Sequence, residues 1–330
     1  MKSFLCSVFL LSLLCAAFAS RGEAAGQRLV AITFDDLPVA TSVHKDEVTR
    51  RKITLRLLQS IVQREIPAIG FVNERGLQLD NVTDDEIDER RVDLLRLWLA
   101  AGLELGNHSF SHFDLHRTDL DEFKADVIRG QEVTSELLAE RGQTIRYFRH
   151  PFLHTGISLD TKRDFEEFLT QNGYQVAPVT IDNSEWIFAR AYDLALQAGD
   201  SELAEQIGSE YVAYMLEMFE FYEGQSILLF ERNIAQVLLL HANELNSAWF
   251  GTLADSLGEK GYAFISLAEA LQDPAYQSPD SYTGPGGITW LHRWAITRKV
   301  DPAMFIGEPE TPEYILKLTE LREHNYTTDQ

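Results

Sequence analysis

The sequence predicts an α/β protein built on a parallel seven-stranded barrel or near-barrel, on three observations. Seven short apolar runs alternate with longer segments of helical period between residues 29 and 265, and such alternation favours a parallel sheet joined by right-handed crossovers. Gly102, Gly142, Gly173 and Gly261 each fall just past a predicted helix, where a C′ glycine terminates it. No GxGxxG follows the first apolar run, which removes the dinucleotide fingerprint of the open doubly wound alternative.

Taken in order, the elements begin after a leader. Lys2, the apolar stretch 4–18 and the small-x-small signal Ala17-Phe18-Ala19 predict a signal peptide over residues 1–19. The run is short for spanning a bilayer, so export to a periplasm or the exterior is expected, without a stable membrane anchor. Strands are predicted at 29–34, 66–72, 103–107, 145–150, 175–181, 237–241 and 262–265, and helices at 46–64, 84–101, 119–140, 158–171 and 246–260. Two stretches break the rhythm. Residues 190–235 read as an acidic, aromatic helical insertion before the sixth strand, and residues 272–330 as a Pro/Gly/aromatic extension. Residues 20–271 then form one domain that includes the insertion, with 272–330 packed on it. Tyr211, Tyr214, Phe219, Phe221 and Tyr222 recur at helical spacing; such a stripe marks a core face, the other use being sugar stacking. Trp290 and Trp294 anchor the extension or cap the barrel mouth.

Composition narrows the chemistry. Both cysteines, Cys6 and Cys15, lie in the leader, so the exported chain has no disulfide, thiolate ligand or cysteine nucleophile. A metal would have to be held by His, Asp or Glu. The formal charge of −22 argues against nucleic acid and anionic membrane surfaces as partners. It also disfavours a strongly acidic polymer, and a neutral or amino sugar fits better.

The polar residues fall at strand ends. Asp35-Asp36 follow the first strand, His108 and His112 the third, Arg149 ends the fourth, Asp182 follows the fifth and His241 ends the sixth. In a parallel β/α barrel those positions gather at one rim, where active sites are built. Adjacent carboxylates repel unless a cation or shared proton relieves them, or they cap the next helix. His108 and His112, spaced i and i+4, can reach one ion. Asp36, His108 and His112 together give three mixed O and N ligands with positions left open, as catalytic sites have. Zinc suits that set best; cobalt, nickel or manganese also fit. Asp35 is then placed as general base, with Arg149 to keep it ionised and oriented. His241 is either a satisfied core histidine or an acid that protonates a leaving group, and Asp182 either caps a turn or holds that imidazole.

Phe34-Asp35-Asp36, His108-Ser-Phe-Ser-His112, Phe148-Arg149-His-Pro151-Phe152, Asp182 with Trp186, and Leu238-Leu-Leu-His241 resemble, in order, the five motifs of the polysaccharide deacetylase (NodB-homology, carbohydrate esterase family 4) proteins. The resemblance spans roughly residues 29–271. It implies a distorted (β/α)7-type barrel, here with the helical insertion and C-terminal extension, and one divalent metal on Asp36, His108 and His112. It implies Asp35 as base, His241 as acid, and Arg149 and Asp182 as the groups that tune them. The Phe152 N–H would stabilise the oxyanion, and Pro151 and Trp186 would line the acetyl pocket. An acetylated carbohydrate is the implied substrate, N-acetyl favoured over O-acetyl. A non-sugar linear or cyclic amide on the same machinery, and a non-catalytic carbohydrate binder, are the alternatives. The chain departs from the usual pattern at Leu37, at His150-Pro151-Phe152-Leu153 and at Glu185 before Trp186, all positions bearing on the substrate.

Overall fold

The computed structural model describes residues 27–41, 43–44, 46–79 and 86–321; the expected signal peptide and the last nine residues lie outside them. Strands β1 (Leu29–Leu37), β2 (Ile69–Val72), β3 (Glu104–Asn107), β4 (Tyr147–Phe148), β5 (Gln175–Val176), β6 (Gln236–His241) and β7 (Ala263–Ile265) form one sheet. All seven predicted strands are present, every pairing is parallel, and the order is β5-β4-β3-β2-β1-β6 with β7 on β1. Val30, Ala31, Ile32, Thr33 and Phe34 of β1 are all buried, as a strand covered on both faces requires.

The fifth strand is shorter than the predicted 175–181. Pro178 has no amide for a ladder, and the chain leaves β4 there and rejoins the sheet on β6, where Ile181 bridges Leu238. Amides of Thr180 and Ile181 donate to the Val237 carbonyl at 3.0 Å. This second attachment bends the sheet into a partly closed barrel. The distortion lies at β1: Leu29–Ala31 pair with β7 while Thr33–Leu37 pair with β2, and β6 holds the opposite edge. So β2 and β7 share one edge of one strand.

Helices α1 (Glu47–Gln63), α2 (Glu89–Ala100), α3 (Leu120–Arg129), α4 (Glu132–Ala139), α5 (Leu159–Gln171), α6 (Glu185–Ala198), α7 (Ser201–Phe230), α8 (Glu244–Glu259), α9 (Leu267–Ala270), α10 (Trp290–Thr297) and α11 (Glu313–Thr319) surround the sheet. Side chains of Asp46, Asp88, Asp119, Ser158, Asp200 and Asn243 cap six of them, satisfying first-turn amides. Residues 119–140 form two helices, not one, because the chain turns at Gly130. A Cβ there would overlap the backbone of Ser109 and Phe110, so the bare glycine lets α3 close on the histidine loop.

The helical insertion starts at Glu185, five residues before the predicted boundary. Tyr211, Tyr214, Phe219 and Tyr222 of α7 are buried and Phe221 packs beside them, so the aromatic stripe is core. Trp290 and Trp294 are buried in the same cluster, anchoring the extension. At the first departure from the family pattern, Leu37 packs against Gly70, which leaves it room.

Candidate active site

Two adjacent residues on a regular strand face opposite ways, so Asp35 and Asp36 reach one site only through an irregularity. The β1–β2 register shifts between Phe34 and Leu37, and Asp36 has φ 58°. Such a bulge re-aims a side chain. Backbone strain is concentrated here. Among the described residues nine non-glycines have positive φ, and Asp36, Ser109, His112, Phe152 and Leu153 are five of them. Residues in such conformations persist only where their surroundings over-determine them.

The three expected metal ligands converge. His108 Nε2 and His112 Nε2 each lie 3.7 Å from Asp36 Oδ1. That is too long for a hydrogen bond, yet within the separation of about 4.2 Å that two ligands on one zinc-sized ion allow. His108 is set by its other nitrogen: Nδ1 lies 2.8 Å from the Arg149 carbonyl. A carbonyl only accepts, so Nδ1 carries the proton and Nε2 presents a lone pair to the site. Burial and the nearby His112 hold the His108 imidazole neutral, down to about 3. The donor set therefore fits a divalent cation.

A second group, Asp114, His116 and His154, also brings ligand atoms together, but its geometry differs. His154 Nδ1 hydrogen-bonds Asp114 Oδ1 at 2.6 Å, and the His116 and His154 rings stack face to face at 3.8 Å and 4°. In-plane lone pairs of stacked rings run parallel and do not converge on one ion. Asp114 and His154 form a hydrogen-bonded pair on which the His116 ring is stacked.

Asp35 lies beside the trio of Asp36, His108 and His112, Oδ2 being 3.8 Å from His108 Nε2. Arg149, fully buried, donates from Nη1 to both Asp35 oxygens at 3.1 Å. Its Nη2 donates to Thr33 Oγ1 and its Nε to the Ala177 carbonyl, both at 2.9 Å. Burial raises the Asp35 pKa above the ordinary carboxylate value, and the Arg149 charge opposes that rise. A raised pKa makes a carboxylate the better proton acceptor, and the Arg149 guanidinium favours its charged form.

His241 stands directly across the sheet from Asp35, their Cα positions paired in the β1–β6 register. Here the structure corrects the expected partner. Asp182 does not hold the imidazole; it accepts from the Asn183 amide at 2.9 Å and feels His241 and Arg149 only through space, while burial lifts it to about 6. The residue on His241 Nδ1 is Glu185, at 2.8 Å. Because α6 starts so early, its first turn points Glu185 into the barrel, where it is buried. Its other oxygen accepts from Asn243 Nδ2 and from Asn246 Nδ2, and Tyr211 Oη donates to Asn246 Oδ1 at 2.7 Å. Burial alone would depress the imidazolium, but the hydrogen bond and charge of Glu185, helped by Asp36 and Asp35, outweigh it and raise His241 to about 9. The only sequence signal for Glu185 was its place as a departure before Trp186.

Phe152 is half exposed, its ring 4.5 Å from that of His112. None of the hydrogen bonds among the described residues uses its amide. Pro151 is buried in the same turn, while Trp186 is exposed on the first turn of α6. His150 points away, buried against Phe148 and Phe165.

Comparison with known proteins gives one family and a set of similar structures. The family described as polysaccharide deacetylase matches residues 22–177. The peptidoglycan deacetylase PdaC from Bacillus subtilis is 17% identical over 75% of this chain and 91% of its own, with a TM-score of 0.46. A family 4 carbohydrate esterase from Streptomyces lividans in complex with acetate is 20% identical over 74% and 95%, TM-score 0.45. A CE4 family pseudoenzyme from Bacillus anthracis is 14% identical over 74% and 66%, TM-score 0.45. On the family match, residues 22–177 of this chain belong to the polysaccharide deacetylase family.

Proposed function

We propose that the protein is an exported, metal-dependent carbohydrate deacetylase, with N-acetyl groups preferred over O-acetyl. The observation that carries the reading is the pairing of Asp35 and His241 across β1 and β6, each tuned by its own buried counter-charge. Asp36, His108 and His112 would hold the cation between them. A divalent ion there supplies Lewis acidity and makes water a nucleophile near neutral pH.

The chain's own residues supply the proton transfers. Asp35, clamped by Arg149 at 3.1 Å, takes the proton of the attacking water. Phe152 offers its amide to the oxygen on which negative charge develops. His241, kept protonated by Glu185 up to about 9, donates to the leaving group. An amine needs that proton more than an alkoxide does, which favours N-deacetylation. Charge separation across the site is thus built in: a base held by a cation faces an acid held by an anion.

The test is acetate release by the chain from Ser20 onward with zinc or cobalt added. Chitooligosaccharides, peptidoglycan fragments and acetylated xylan are the substrates, with Asp36→Ala and His241→Ala beside the wild type. Acetate from one substrate, lost in both variants, supports the reading and names the substrate class. No acetate from any of them would overturn it in favour of a non-sugar amide substrate or a binding role.

A further inference from the structure

Arg293, in the C-terminal extension and outside the matched residues 22–177, is a fully buried cation that the chemistry above leaves unused. Its guanidinium is committed to one turn of the barrel rim. Nη2 donates to the Leu153 carbonyl and Nη1 to Thr155 Oγ1 at 2.6 Å. Nε donates to the Ile288 carbonyl at 3.0 Å, which ties the fork to its own segment, and Asp280 lies 3.6 Å away to balance the charge. Trp290 and Tyr282 flank it at 4.5 and 5.2 Å. Gly287 meets the same turn: a Cβ there would overlap the Phe152 carbonyl oxygen and sit 3.2 Å from His154 Cδ2.

The turn held in this way is strained. Phe152 and Leu153 are consecutive non-glycine residues with φ of 57° and 54°, a conformation that relaxes unless its neighbours hold it. A guanidinium cannot shed its proton, so the turn cannot move away without stranding a buried charge. The same turn carries the Phe152 amide, and the Phe152 ring lies 4.5 Å from that of His112.

We propose that Gly287 and Arg293 are positioning residues: the extension clasps the 151–155 turn and aims the Phe152 amide at the reacting carbonyl. The aim of the amide rests on the deacetylase reading; the clasp does not.

Gly287→Ala and Arg293→Lys test both parts in the full exported chain. The first pushes on the Phe152 carbonyl, and the second keeps a cation but removes the planar fork; either serves if the other does not fold. Amide hydrogen exchange is expected to quicken at least tenfold in residues 150–155 and to stay unchanged in 104–112. Cation affinity should hold within twofold and KM within threefold, while kcat falls by roughly 100-fold, the loss typical of one oxyanion donor. Unchanged exchange at 150–155 in both variants would overturn the clasp. Quickened exchange with unchanged kcat would overturn the positioning role. A wild-type chain that releases no acetate from any acetylated substrate would overturn the deacetylase reading and the aim of the amide with it, while the exchange data still decide the clasp.

Discussion

Replacing Glu185 with glutamine removes one buried negative charge at nearly constant volume. Glutamine can still accept from Asn243 and Asn246 and can donate to an unprotonated His241 Nδ1, so the packing survives while the reason for protonation is lost. Unit charges about 4 Å apart interact by about 4 kcal/mol at an effective dielectric constant of 20, worth roughly three pH units at 1.36 kcal/mol each. That is the size needed to carry His241 to about 9 against its burial. In Glu185→Gln the imidazole should fall to its ordinary value near 6.5 or below. A general acid works only while protonated, so activity is lost as pH rises through its pKa. The variant should keep near wild-type kcat at about pH 5.5 and lose at least tenfold by about pH 8. A bound cation lowers the alkaline limb of both proteins, so the displacement between their kcat profiles is the quantity to read. NMR titration of His241 in chelator-treated protein measures the shift directly. An alkaline limb that does not move, or a loss equal at every pH, would refute the reasoning.

Three further outcomes follow from the same geometry. Asp36→Ala should lower zinc affinity at least 100-fold by calorimetry and abolish acetate release, while the melting temperature without metal stays within a few degrees, because this side chain is one-third exposed. Arg149→Met should cost about 3–5 kcal/mol in urea unfolding at pH 8, since it leaves Asp35 buried and unpaired. The deficit should shrink as pH falls, because a carboxylate whose pKa is raised on folding penalises the folded state fully above that raised pKa and not at all below its ordinary value. Trp294→Ala empties a position held edge-on by Phe230 and Tyr276, both at 5.6 Å; it should cost about 3–5 kcal/mol by thermal unfolding.

How much was legible depended on whether a feature is local. Apolar runs such as Val30–Phe34 and the glycines that end helices are local signals, and all seven strands were found from them. The cluster of Asp36, His108 and His112 was legible because both histidines lie in one five-residue motif and the aspartate directly follows a strand. Boundaries were less so. The fifth strand reads as continuous through Ile181, yet Pro178 cannot donate to the ladder and the chain changes partner strand there. Gly130 reads as an interior position of one helix, and only its contact with Ser109 and Phe110 shows why the helix breaks.

By itself the sequence determined the order of elements, the burial of the α7 aromatics and the convergence of chemistry at one rim, because each follows from period, residue type or position at a strand end. Tertiary structure decided which carboxylate meets His241. Asp182 and Glu185 are three residues apart and chemically alike in the chain; the start of α6 turns one toward the imidazole and leaves the other on a backbone amide. It also decided how two neighbouring aspartates both reach the site, through a register shift that no composition records. Arg293 lies 140 positions from Leu153 along the chain, and a contact that long-ranged leaves no local trace.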